Sequence, residues 1–168
     1  MERELVNEFK RRVFEESYAR IFKCLDTVDE KQIWYSPNKN VPSIGNLILH
    51  LCGNMRQWVL SGLGGKPDNR DRESEFVPHQ NIRKSELVFL MENLRVNIRE
   101  VLLELPDGYS KKVVCVQGFN ETGLSVLTHV MEHFSYHTGQ ITTLAKIQQD
   151  MDLGYYRGFD LNQITSLN

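Results

Sequence analysis

The run Thr128-His129-Val130-Met131-Glu132-His133-Phe134-Ser135-Tyr136-His137-Thr138-Gly139-Gln140 concentrates three of the chain's five histidines. His133 and His137 are four apart, so on an α-helix they project from one face with roughly 5–6 Å between their Cβ atoms. At that separation two imidazoles reach one metal ion, the geometric reason that His-Glu-x-x-His serves zinc proteases. A third histidine, His50, lies far upstream in the apolar segment Ile44-Gly45-Asn46-Leu47-Ile48-Leu49-His50-Leu51. Two ligands from one helix and a third from another make a three-histidine site with an open position, which catalytic zinc sites keep and structural ones lack. Three neutral imidazoles suit a borderline divalent ion such as zinc, nickel, cobalt or iron. With no carboxylate ligand the ion keeps its full charge and acidifies a bound water or thiol.

A lone histidine on an apolar face is more often an ordinary core residue, and an i,i+4 pair arises by chance in many helices. Two features weigh against that here. Only His50 and His79 stand outside the cluster, and His50 sits among core-type positions with Leu47, Leu51, Asn54 and Trp58 around it. A buried imidazole needs partners for both nitrogens, and an ion plus an acceptor behind the ring supplies them. Asn54, four residues after His50, and Gln140, three after His137, are candidates to stand behind the ligands or touch substrate, although either also serves as a helix-boundary amide. Glu132 points about 100° away from His133 and is expected to be a solvated charge, not a base.

Helices must position these groups. Val6, Phe9, Val13, Phe14, Tyr18 and Ile21 give a near-3.6 spacing that predicts a first helix over about 4–25. Ser43 is a good N-cap for a second helix over about 44–60, which carries His50. A glycine-rich loop, 61–82, follows and is long enough to be functional. Its Arg70, Arg72 and Glu75 are candidates for a cap over the metal mouth that holds an anionic substrate, against the plainer reading of a solvated loop. A third helix over about 84–105 stops at Pro106. Lys111-Lys112-Val113-Val114-Cys115-Val116 is a short β-type run, with Gly118-Phe119-Asn120-Glu121 as turn chemistry, before a fourth helix over about 123–150. On that helix the seam Leu127, Val130, Phe134, His137, Ile141, Leu144 and Ile147 turns His137 inward and puts His133 on its flank.

At 168 residues the length predicts one domain, 1–168. A net charge of −2 leaves no electrostatic footprint for nucleic acid. Cys24, Cys52 and Cys115 are odd in number, with no Cys-x-x-Cys pair, and are expected to be reduced thiols. Cys52 points about 200° from His50 on a helix and is not expected to share the ion. The acidic start of the chain has no apolar signal core, and no run approaches the ~20 apolar residues of a membrane span, so a cytoplasmic location is expected. Phe9, Phe14, Tyr18 and Phe22 look exposed on more than one side of the first helix, which predicts a homodimer.

The Ser-Ile-Gly-Asn-Leu-x-x-x-His pattern in 43–59 and the Leu-x-His-x-x-x-His-x-x-x-His-x-Gly-Gln-Ile pattern in 127–141 resemble the DinB/YfiT-like superfamily, from about residue 5 to about 150. The resemblance implies an all-α four-helix bundle with His50, His133 and His137 as ligands of a divalent metal, zinc or nickel foremost. His129 matches a position that is often histidine there but is not usually counted as a ligand. The implied activity is transfer or isomerisation using a low-molecular-weight thiol, which the metal holds as the nucleophilic thiolate and presents to a small-molecule electrophile. Hydrolysis by metal-activated water is the close variant. The alternatives are a metal- or ligand-binding protein without turnover and a helical interaction module.

Overall fold

The computed structural model describes residues 2–77, 79 and 81–163, and these are mostly helical with one two-stranded antiparallel sheet among them. The first helical stretch starts as α1 (Glu2–Phe9), passes through π-helical turns over Lys10–Ser17, and resumes as α2 (Tyr18–Thr27). In the wide section bonds run five residues back: the Tyr18 N–H donates to Val13 O, and the Ser17 hydroxyl donates to Arg12 O at 2.9 Å. The wide turn puts Phe9, Phe14 and Tyr18 on one interior line, where successive rings meet edge to face at 5.8 and 5.6 Å. This corrects the expected exposure of the first-helix aromatics. Phe9, Phe14 and Tyr18 are buried and Phe22 is half-buried against the core, so they offer no surface for a second copy.

Ser43 caps α4 (Ile44–Met55), its hydroxyl oxygen accepting from Asn46 N–H while the Asn46 side chain reaches back. The rod then widens into π-helical turns over Arg56–Leu63, which bury Trp58, Val59 and Leu60 in succession. The connection before α4 holds a short helix that the sequence reading did not separate, α3 (Glu30–Ile33), capped reciprocally by Asp29 and Gln32. The 61–82 loop is not structureless: Ser74–Phe76 forms a 3₁₀ turn, and Asn46 Nδ2 donates to the carbonyls of Glu75 and Val77 at 2.9 and 2.8 Å. Those bonds lay the loop along the same helix that carries His50.

The long α5 (Lys84–Glu104) buries Leu87, Met91, Leu94, Ile98, Val101 and Leu102, and Tyr18 ties to it by donating to Met91 O. Strands β1 (Val113–Val116) and β2 (Phe119–Thr122) pair with Val116 opposite Phe119. The turn is therefore Gln117-Gly118, both at positive φ (52° and 82°), as a two-residue hairpin requires. The expected turn at Gly118-Phe119-Asn120-Glu121 was one step late, because Phe119 to Glu121 pair as strand. Thr122 then caps α6 (Gly123–Gln149). This last helix packs against α1, α2, α4 and both π-helical sections, so the two histidine-bearing helices lie side by side. Among the described residues no helix is long and apolar enough to cross a membrane.

Candidate metal centre

His50, on α4, and His133 and His137, on α6, converge with ligand-capable atoms all within 4.8 Å of one another. The central ring is His133: its Nε2 lies 3.0 Å from His50 Nε2 and 3.2 Å from His137 Nε2. Nitrogens about 2.0–2.1 Å from one tetrahedral ion would stand roughly 3.3 Å apart. The two separations to His133 are within a few tenths of an ångström of that geometry.

What stands behind the rings fixes which nitrogen faces inward. Glu75 Oε2 is 2.8 Å from His50 Nδ1. Arg70 donates to both Glu75 oxygens, at 2.7 and 2.9 Å, so the carboxylate is ionised and can only accept. Burial pushes the Glu75 carboxyl up, but the bonds from Arg70 and His50 outweigh it and hold the group below its ordinary value. His50 Nδ1 therefore carries the proton and Nε2 offers its lone pair to the centre. Arg70 Nη2 also lies 3.2 Å from that Nδ1, but two N–H groups cannot bond each other.

At His137, Nδ1 is 2.7 Å from Gln140 Oε1, whose amide nitrogen in turn donates to Tyr136 OH. That amide orientation makes Nδ1 the donor and again turns Nε2 inward. His133 has no such support, its buried Nδ1 lacking a partner among the described residues. Burial, then the neighbouring His137, His50 and His129, pulls the His133 imidazole down to about 3. Burial likewise lowers His137 and His129, so these three rings are neutral and able to act as ligands near pH 7.

The remaining candidates are arranged around this core. Asn54 is buried beside the cluster, its Nδ2 3.3 Å from His129 Nε2 and its Oδ1 without a partner among the described residues. His129 is not in the ligand group; it stacks on Trp58 at 3.7 Å between centroids and on His133 at 5.5 Å. Trp58 is held from behind by Gln117, whose Oε1 accepts its indole N–H at 3.2 Å. Arg70 was a candidate for holding an anionic substrate, but its buried guanidinium is taken by Glu75 and by Gln57 at 2.9 Å. Arg72 is exposed and lies 5.2 Å over the Phe76 ring, which itself sits 4.9 Å from His50. Glu132 is exposed, as expected of a solvated charge.

Sequence reasoning missed that Glu75 buttresses His50, and missed the Trp58–His129 stack. A signal for the first was available. Gly53, inside α4 and three residues after His50, is a poor helix former, and a Cβ there would overlap the Glu75 carboxylate and lie 3.1 Å from Arg70 Nε. The glycine leaves the room that lets the carboxylate reach the histidine.

Neither the curated proteins nor the solved structures include a match to this chain. The model of one family, described as "Protein of unknown function (DUF1572)", matches residues 2–155, a span that contains every histidine, both strands and all the helices described above. The chain belongs to the DUF1572 family.

Proposed function

We propose that this protein is a divalent-metal-dependent enzyme with a three-histidine site and that it transfers groups to or from a low-molecular-weight thiol. The proposal includes the finer family reading, that the four long helical stretches form a DinB/YfiT-like four-helix bundle. One observation carries it. Glu75 and Gln140 each accept a hydrogen bond from a histidine Nδ1–H and so turn two Nε2 lone pairs toward His133 Nε2, at 3.0 and 3.2 Å. Lone pairs crowded this closely repel one another unless a cation or a shared proton stands among them. The orphaned Nδ1 of His133 fits the same reading, since a neutral ring that ligates through Nε2 keeps its hydrogen on Nδ1.

A divalent ion bound there would supply charge that lowers the pKa of a coordinated thiol or water. The protein's own groups favour thiol over water chemistry. Glu75 is tied behind His50, and Glu132 faces solvent, which leaves neither carboxylate placed as a base for water. Burial raises the Cys24 thiol and pushes Cys52 up to about 12, so neither of these buried cysteines supplies a thiolate. Phe76 and Tyr136, both exposed, flank His50 and His137 and give an entering substrate an apolar rim, with Arg72 over it as a cation.

The test is elemental analysis of untagged protein followed by a conjugation assay with small thiols and chlorodinitrobenzene. In that assay a carbon–sulfur bond forms, chloride leaves and the thiol proton passes to buffer. Bound metal with metal-dependent conjugation supports the proposal. Bound metal with ester or amide hydrolysis alone selects the hydrolytic variant, and bound metal without turnover selects a binding protein. Protein that takes up no metal would leave the histidines a structural cluster.

A further inference from the structure

We infer that Glu75 is a positioning residue that commits His50 to the ion through Nε2, and that metal binding thereby fastens the 70–77 segment onto α4. The inference rests on the metal reading above and deepens it. Glu75 comes from a 3₁₀ turn in the connection, not from either histidine-bearing helix, so the site is completed by a third segment of the chain. Among the described residues, the segment's bonds to the neighbouring helices run to the helical stretch 44–63, and Ser74 O is also bonded to His79 Nε2 at 2.5 Å. Glu75 Oε2 accepts from His50 Nδ1 at 2.8 Å, and the Glu75 and Val77 carbonyls accept from Asn46 Nδ2. Arg70 Nη1 donates to Gln57 Oε1 at 2.9 Å, and Gln57 Nε2 donates to Asp68 Oδ2 at 2.7 Å.

Within this set only the Glu75–His50 bond touches a metal-facing ring. A carboxylate behind a ligating imidazole fixes its tautomer and raises its basicity, and losing such a partner weakens metal binding by about 10–100-fold. Binding couplings are reciprocal. If the closed segment strengthens the site by that factor, the bound ion favours closure of the segment by the same factor. Arg70 keeps the carboxylate charged and aimed, and both side chains are buried, Arg70 3% exposed and Glu75 7%. The plain alternative is that Glu75 exists to pair with Arg70, with His50 only a neighbour.

Zinc affinity of the untagged full chain, measured by competition with a chromophoric chelator, separates the two when combined with hydrogen exchange of the Arg70–Val77 amides with and without zinc. The expected result is that zinc slows exchange across 70–77 in the wild type. E75Q, which keeps the shape but loses the charge, should bind zinc about 10–100-fold more weakly. E75A should bind no better than E75Q, and zinc should no longer slow the segment in either variant. Affinities within about twofold of wild type in E75Q, or exchange over 70–77 that ignores zinc in the wild type, overturns the inference while leaving the metal site standing. A wild type that binds no zinc overturns the metal reading and this inference with it. Should E75A fail to fold, E75Q and the wild-type exchange decide.

Discussion

Gly53→Ala tests the architecture of the site from a position that no ion would touch. The added Cβ would overlap Glu75 Oε1 and lie 2.9 Å from its Cδ, where carbon atoms in contact settle at about 3.5 Å. The Cδ contact alone requires a retreat from α4 of roughly 0.6 Å, and relieving the Oε1 overlap requires more. Because His50 is on that same helix, a retreat of that size stretches the 2.8 Å bond to Nδ1 to about 3.4 Å or more, beyond the usual 2.7–3.2 Å range. Loss of a hydrogen bond to a charged partner costs about 1.5–3 kcal/mol, while alanine for glycine inside a helix returns about 0.5–1 kcal/mol. The metal-free protein should therefore lose about 1–2 kcal/mol, a fall of roughly 2–8 °C in Tm at this chain length. Zinc affinity should fall by about 10–100-fold. Competition titration and thermal melting of the same preparation read both quantities. A variant that melts lower yet binds zinc as tightly as wild type would refute the argument that the glycine serves the ligand.

His137→Ala should abolish stoichiometric metal binding and shift the metal-free Tm by no more than a few degrees, because Phe134, Ile141 and Leu144 form the core around it; melting and metal analysis together check this. Chelation of the wild type should lower Tm by linkage alone, about 2.7 kcal/mol if the ion had stood at 100 times its Kd, and an unfolded circular dichroism spectrum after chelation would instead mark the ion as structural. The metal-free protein should lose stability as pH falls from about 6.5 toward 3. His133 stays neutral in the fold to about 3 but takes up a proton in the unfolded chain near 6.5, so the unfolded state binds more protons across that window, and urea melts at pH 7.5 and 5 should differ in that direction. Gln117→Gly should leave stability nearly unchanged, since relief of a left-handed backbone offsets loss of the bond to Trp58; a loss above about 2 kcal/mol in urea would contradict that balance.

The convergence of His50, His133 and His137 was legible because it needed only helical periodicity and the apolar surroundings of His50, both local properties. Ser43 as a cap, the end of α5 before Pro106 and the β-type run before α6 were legible for the same reason. The π-helical sections were not. No residue type demands a five-residue step, and the widening follows from packing Phe9, Phe14 and Tyr18 against the interior, which only the assembled molecule imposes. Arg70 and Glu75 were singled out from composition, but their pairing and its direction toward His50 depend on how a 20-residue connection folds back along α4. Sequence spacing alone could not distinguish a charge reaching outward for substrate from one turned inward to hold a ligand.

The stack of His129 on Trp58 gives the protein an optical channel into its own centre. An excited indole donates an electron readily to a protonated imidazole and poorly to a neutral one, so emission from Trp58 reports the charge of a ring 3.7 Å away. Burial lowers the His129 pKa, which keeps that emission bright through neutral pH. Because His129 also lies against His133, an ion arriving at the cluster changes the field the indole senses without touching it. Trp34, the other indole, sits beside His79 and bonds to the carbonyl of Ile82, so replacing it by phenylalanine would leave a single-tryptophan protein whose fluorescence follows the site directly.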